Sequence, residues 1–166
     1  AAGAATDAVE LVLTGQARNA FCAVRPPGHH AERAAPMGFC FFNNIAIAAR
    51  HAIDAHGLKR VAIVDFDVHH GNGTEDIFAN DERVLMVSTF EQGIYPFTGD
   101  IPLGDNMVNI ALPAYSDGSA MRQAVAQHWL PAIDKFQPEL ILISAGFDAH
   151  REDDMSHLMW SDQDYA

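Results

Sequence analysis

The chain has 166 residues, 49% of them hydrophobic, and its 22 acidic against 10 basic residues give a formal net charge of -12 at neutral pH. That length is enough for one domain with a real core; the charge disfavours nucleic acid and anionic membranes as partners, and no apolar run is long enough for a membrane span. The Ala-rich start lacks a basic leader region, so a cytoplasmic location is the expectation, and Cys22 and Cys40 form no CxxC pair and read as buried thiols.

Helical and strand patterns alternate along the chain, which predicts an α/β domain with a mainly parallel sheet flanked by helices. Ala1 to Leu13 reads as a helix stopping near Gly15, and Phe21 to Val24 as a short buried strand entering the turn-rich Arg25-Pro26-Pro27-Gly28-His29-His30. Asn44 to His56 carries Ile45, Ala48, Ala49, Ala52 and Ile53 at helical spacing, with Gly57 placed to cap it. Strands follow at Val61 to Asp65, Val84 to Ser88 and Val108 to Leu112, then a helix from about Ser119 to Phe136 bent at Pro131. The last strand, Leu140 to Ser144, runs into Ala145-Gly146-Phe147-Asp148. In open α/β sheets ligands gather at the carboxyl ends of the strands. That rule brings His29, His30, Asp65, Asp67, His69, Ser88 and Asp148 towards one mouth.

The most informative stretch runs from Val64 to Gly73. Side chains alternate across a strand, so Asp65, Asp67 and His69 point one way and Val64, Phe66 and Val68 the other. Two carboxylates next to the apolar Val61-Ala62-Ile63-Val64 are costly to bury unless a cation or hydrogen-bond donors compensate them. A divalent ion held by oxygen and imidazole ligands answers this need; the bland alternative is an acidic strand-to-loop turn. Gly71 and Gly73 then let the backbone turn sharply away.

Five segments, Arg25 to Ala31, Gly38-Phe39-Cys40-Phe41-Phe42-Asn43-Asn44, Asp65 to Thr74, Tyr95-Pro96-Phe97-Thr98-Gly99 and Ser144 to His150, occur in an order and spacing that resembles the zinc-dependent histone deacetylase family. The likeness is to its class II, bacterial deacetylase-like and acetylpolyamine amidohydrolase branch. The resemblance implies an arginase/deacetylase-like fold and zinc ligands at Asp67, His69 and Asp148. It makes His30 the general base and later the general acid, with His29 positioning the attacking water. Asp65 would orient His29 and Asn72 would orient His30, where class I members carry Asp. A potassium ion would use Asp65, Ser88 and the carbonyls of Asp67 and His69, and a second monovalent site the backbone near Phe78, Asp81 and Val84. Phe39 and Tyr95 match the walls of the acyl-lysine tunnel, with core packing as their alternative reading. The implied substrate is acetyl-lysine or an acetylated polyamine.

The family's catalytic domain is roughly twice as long, so residues 1 to 166 read as a single partial domain, with about five of the family's eight strands. Unpaired strand edges would then favour self-association. The family's glycine-rich segment ending in an oxyanion-donating Tyr has no match, and Tyr165, after Asp162-Gln163-Asp164, is not assigned that role. Three readings follow: a zinc-dependent deacetylase, a catalytically impaired remnant or metal- and acyl-lysine-binding module, and a binuclear manganese ureohydrolase-like enzyme. His51 and His56 read as surface residues of a helix, His128, His150 and His157 as structural or loop residues, Glu152-Asp153-Asp154 as a solvated loop, and Cys40 as packing.

Overall fold

The computed structural model describes residues 1–166. Four parallel strands form one sheet in the order β3-β2-β1-β4: β1 is Val61–Asp65, β2 Val84–Glu91, β3 Met107–Leu112 and β4 Leu140–Ser144. Period-two alternation sorts β1 between two cores. Val61 and Ile63 face helix α1 (Ala2–Leu13) and helix α2 (Asn44–His56), packing with Val9, Ala49, Ala52, Val84 and Met86. Ala62 faces the opposite side with Leu85, Val87 and Trp129. No helix is long and apolar enough to cross a membrane.

Helix α2 begins where Asn43 Oδ1 accepts from Ala46 N and ends at Gly57, whose φ of 74° closes the last turn in the left-handed region. The helix expected from Ser119 to Phe136 is present in three pieces: α4 (Gly118–Ala124), a π-helical turn at Val125–Trp129, and a helix Leu130–Phe136 that is α5 in the chain. Pro131 has no N–H to give to the preceding turn, and the widened turn lies immediately before it.

Two expectations need correction. Phe21 to Val24 makes no strand: the sheet has four strands, not about five, and Phe21 is 76% exposed. A buried strand needs a ladder partner, and the free side of β4 meets none; Ile141 and Ile143 stand exposed on that strand. Secondly, β1 ends at Asp65, so the alternation does not run on as a strand to His69. Helix α3 (Asn72–Phe78) starts soon after, with Gly71 before its first residue, and a short α6 (Asp162–Tyr165) closes the described elements.

Candidate active site

Beyond the end of β1 the backbone is guided by its own carboxylates. Asp65 Oδ1 accepts from Asp67 N at 3.1 Å and Asp67 Oδ1 from His69 N at 2.8 Å, two successive turns in which an aspartate holds the amide two residues ahead. From the loop after β4, Asp148 Oδ1 accepts from Val68 N at 3.0 Å. Parallel pairing of β1 with β4, with Asp65 opposite Ser144, places these loops side by side.

The result is a compact donor set. His69 Nδ1 lies 3.0 Å from both Asp67 Oδ1 and Asp148 Oδ2, and ligand atoms of these three residues all lie within 4.8 Å of one another. Burial works against a charged His69, but hydrogen bonds to Asp148 and Asp67 outweigh it and push its pKa up to about 10. His69 Nδ1 thus lies between two carboxylates, where a divalent cation would satisfy all three groups. Two carboxylates and one imidazole, converging and largely shielded, suit zinc with one coordination position left open.

Beside this set lie the tandem histidines, their rings 4.0 Å apart. His29 Nδ1 is 2.9 Å from Asp65 Oδ2, and its Nε2 is 3.7 Å from Asp67 Oδ2. Burial alone would depress His29, yet the charges of Asp65 and then Asp67 raise it to about 9. His30 Nδ1 is 2.8 Å from Asn72 Oδ1; burial, reinforced by the neighbouring His29 charge, holds His30 down to about 4. At neutral pH the pair is therefore split into one cation and one free base. Since Asn72 Oδ1 can only accept, the His30 proton belongs on Nδ1 and leaves Nε2 open.

Several positioning contacts were not legible as site residues. Asn72 Nδ2 donates to Glu32 Oε1 at 2.8 Å, which fixes the amide so that its oxygen faces His30. Thr74 N donates to the His29 carbonyl, and Asn43 Nδ2 donates to Ala31 O and Thr74 Oγ1, tying the histidine segment to α2 and α3. Glycines supply the remaining room. A Cβ on Gly146 would lie 2.1 Å from Asp67 Oδ2, one on Gly38 would lie 2.2 Å from His30 Cδ2, and one on Gly73 would lie 2.3 Å from the Ala31 carbonyl oxygen. Gly146→Ala is therefore expected to push Asp67 out of place and cost about 1–3 kcal/mol in folding stability, measured by urea denaturation, together with weaker zinc binding by calorimetry. Unchanged zinc affinity would mean that Asp67 is not needed where it stands.

The other expected residues are placed as follows. Tyr95 lies with its ring 5.0 Å from His30, whereas Phe39, next to Gly38, is 83% exposed. Ser88 is buried opposite Asp65 in the β1–β2 register, its Oγ 3.2 Å from Asn109 Oδ1. The carbonyls of Phe78, Asp81 and Val84 converge on a single nitrogen, Asn106 Nδ2, at 2.8, 3.2 and 2.8 Å. His70 is outside the donor set, buried against Glu75 and Thr98. His157 meets the buried Glu91, and Tyr165 packs among Phe66, Phe147 and Trp160 with its hydroxyl buried and unpartnered. The expectation that His51 and His56 are simple surface residues is corrected, because both are half-buried against Glu10 on the neighbouring helix.

Comparison with known proteins matches residues 1–166 to the family described as Histone deacetylase domain. The chain is 44% identical over 176 residues to "Histone deacetylase 14, chloroplastic" of Arabidopsis thaliana, covering 99% of the chain and 42% of that protein. It is 45% identical over 161 residues to "Polyamine deacetylase HDAC10" of Mus musculus, covering 90% of the chain and 24% of that protein. A solved structure described as the HDA15 HD domain superposes with a TM-score of 0.91 at 38% identity, over 99% of this chain and 49% of that one. The chain thus spans about a quarter to a half of the length of these proteins.

Proposed function

The chain belongs to the histone deacetylase family, and on that premise we propose that it carries the metal-binding and proton-transfer machinery of a zinc-dependent amide hydrolase that removes acetyl from acetyl-lysine or an acetylated polyamine. The observation that carries this reading is the meeting of Asp67, His69 and Asp148 with the Asp65–His29 and Asn72–His30 pairs at the ends of neighbouring strands. Asp67, His69 and Asp148 would hold the zinc ion, which would supply Lewis acidity to polarise the acetyl carbonyl and lower the pKa of water to about 7.

The remaining work falls to the protein. His30, neutral at pH 7 with Nε2 free, takes the proton of the attacking water and returns it to the departing amine. His29, held by Asp65, stabilises negative charge growing beside it and keeps the water in line. Tyr95 offers an apolar face to the methylene stem of the substrate. Both relatives' names denote removal of an acetyl group, one specifying a polyamine, and the net charge of -12 favours neutral or cationic substrates. Asp65 and Ser88, adjacent and buried, are the side chains to which the resemblance assigns a potassium ion.

The alternative reading is a metal- or acyl-lysine-binding module without turnover, built on the same donor set; Tyr165 packs among aromatic rings and is not assigned as an oxyanion donor. A fluorogenic acetyl-lysine assay with added zinc separates the two: turnover supports the hydrolase, and zinc binding with no turnover supports the module.

The Asn72 amide gives a pH test. Asn72→Asp places a negative charge against His30 Nδ1, which raises the pKa of the imidazolium. Because the free base is the active form, the acidic limb of the kcat/KM profile is expected to move to higher pH. An unmoved limb would remove His30 from the role of base.

A further inference from the structure

The half-buried cluster on the far ends of α1 and α2 has no part in the chemistry above. Glu10 Oε1 lies 2.6 Å from His51 Nε2 and 2.8 Å from His56 Nε2, and the three ligand atoms all lie within 4.8 Å of one another. Both imidazoles thus turn the same ring nitrogen towards one carboxylate oxygen, though they are five residues apart on α2 and reach across to another helix. We infer that Glu10, His51 and His56 form a second metal site, which binds a divalent transition-metal ion such as zinc and clamps α1 to α2.

The donor set is the first reason. Two imidazole nitrogens and one carboxylate oxygen are ligands for zinc, nickel or copper, and a three-residue set leaves a position for water. Partial exposure of all three side chains gives that water room.

The distances are the second reason. Metal–ligand bonds of about 2.0–2.2 Å in tetrahedral geometry separate the ligand atoms by about 3.3 Å. The present contacts of 2.6 and 2.8 Å are about 0.5–0.7 Å shorter than that, a gap that rotation of three partly exposed side chains can open. Their backbones need not move: Glu10 follows the buried Val9, and His51 precedes the buried Ala52, both in the same apolar core. Thirdly, Glu10 lies in the last turn of α1 and His56 is the final residue of α2. Helix C-termini carry partial negative charge and favour a cation.

The alternative is a histidine–glutamate clamp with no affinity for metal, and zinc titration of the metal-stripped chain by isothermal calorimetry distinguishes them. The Asp67→Ala/Asp148→Ala chain, which lacks the ligands proposed for the active site, is expected to keep one zinc equivalent, and adding His51→Ala is expected to remove it. If the double variant does not fold, as read by circular dichroism, the titration is made on the otherwise unmodified chain, where His51→Ala, or separately Glu10→Gln, is expected to lower total stoichiometry by one equivalent. Substitution by cobalt(II) gives a second readout, a visible absorption band that persists in the Asp67→Ala/Asp148→Ala chain and is lost with His51→Ala. Equal zinc stoichiometry with and without His51 overturns the proposal, whatever happens at the active site.

Discussion

Replacing Asp148 with alanine is expected to weaken zinc binding at the candidate active site by more than about 100-fold and to take acetyl-lysine hydrolysis to background. Loss of a residue that merely orients a ligand typically costs 10–100-fold in metal affinity, and Asp148 offers an oxygen directly to the donor set. Its two oxygens do different work. Oδ2 approaches His69 Nδ1, while Oδ1 accepts from the Val68 amide and so holds the loop that carries Asp67 and His69. Asp148→Asn keeps a side-chain oxygen for Val68 but removes the negative charge, and should fall between alanine and the unmodified chain. Competition with a chromophoric chelator measures both variants. To keep the second cluster out of the titration, both are made in a His51→Ala background. Zinc affinity equal to that of the unsubstituted parent would sink the assignment of Asp148 as a ligand.

The second large effect is at His30. Alanine there removes the member of the tandem pair that is a free base near neutral pH, and the expected loss in kcat is about 10²–10⁴. Zinc affinity should change little, because neither His30 nitrogen belongs to the donor set. This divergence is the diagnostic: binding is retained while the proton carrier is gone, and added imidazole is expected to restore part of the rate. Turnover unaffected by His30→Ala would transfer the base to another group. A parallel loss of zinc would reduce His30 to a packing residue, and Gly38 against its ring shows how tightly that side chain is enclosed.

The parts of the fold legible in the sequence are those determined by neighbours along the chain. The apolar spacing of α2 and its Gly57 cap, and the uninterrupted apolar runs of β1 and β4, are local signals, and the elements form where those signals lie. Phe21 to Val24 has the composition of a strand, but a strand is completed by a partner, and composition says nothing about whether one is within reach. The π-helical turn before Pro131 is a backbone adjustment between hydrogen-bonding patterns that residue periodicity does not distinguish.

A similar division runs through the site. The residues of the donor set and both histidines belong to short motifs and could be named from the chain alone. Glu32 behind Asn72, 40 residues away, and Glu10 against His51, 41 residues away, are matters of three-dimensional proximity. Neither acid is marked by its sequence surroundings. A helical wheel drawn for α2 puts His56 on the apolar face and His51 about 140° away from it, and only the packing of α1 reveals a carboxylate between them.

Gly38, Gly73 and Gly146 give the candidate active site an uneven tolerance to change. Each stands where even a methyl group would collide with a catalytic side chain or with the backbone beside one. Variation there cannot proceed by small steps, since alanine is already the smallest step available. Phe39, by contrast, projects into solvent next to Gly38, so its size and polarity can drift without disturbing His30. Selection acting on this chain would therefore find Gly38 nearly immovable and Phe39 open to change, with a single peptide bond separating the two regimes.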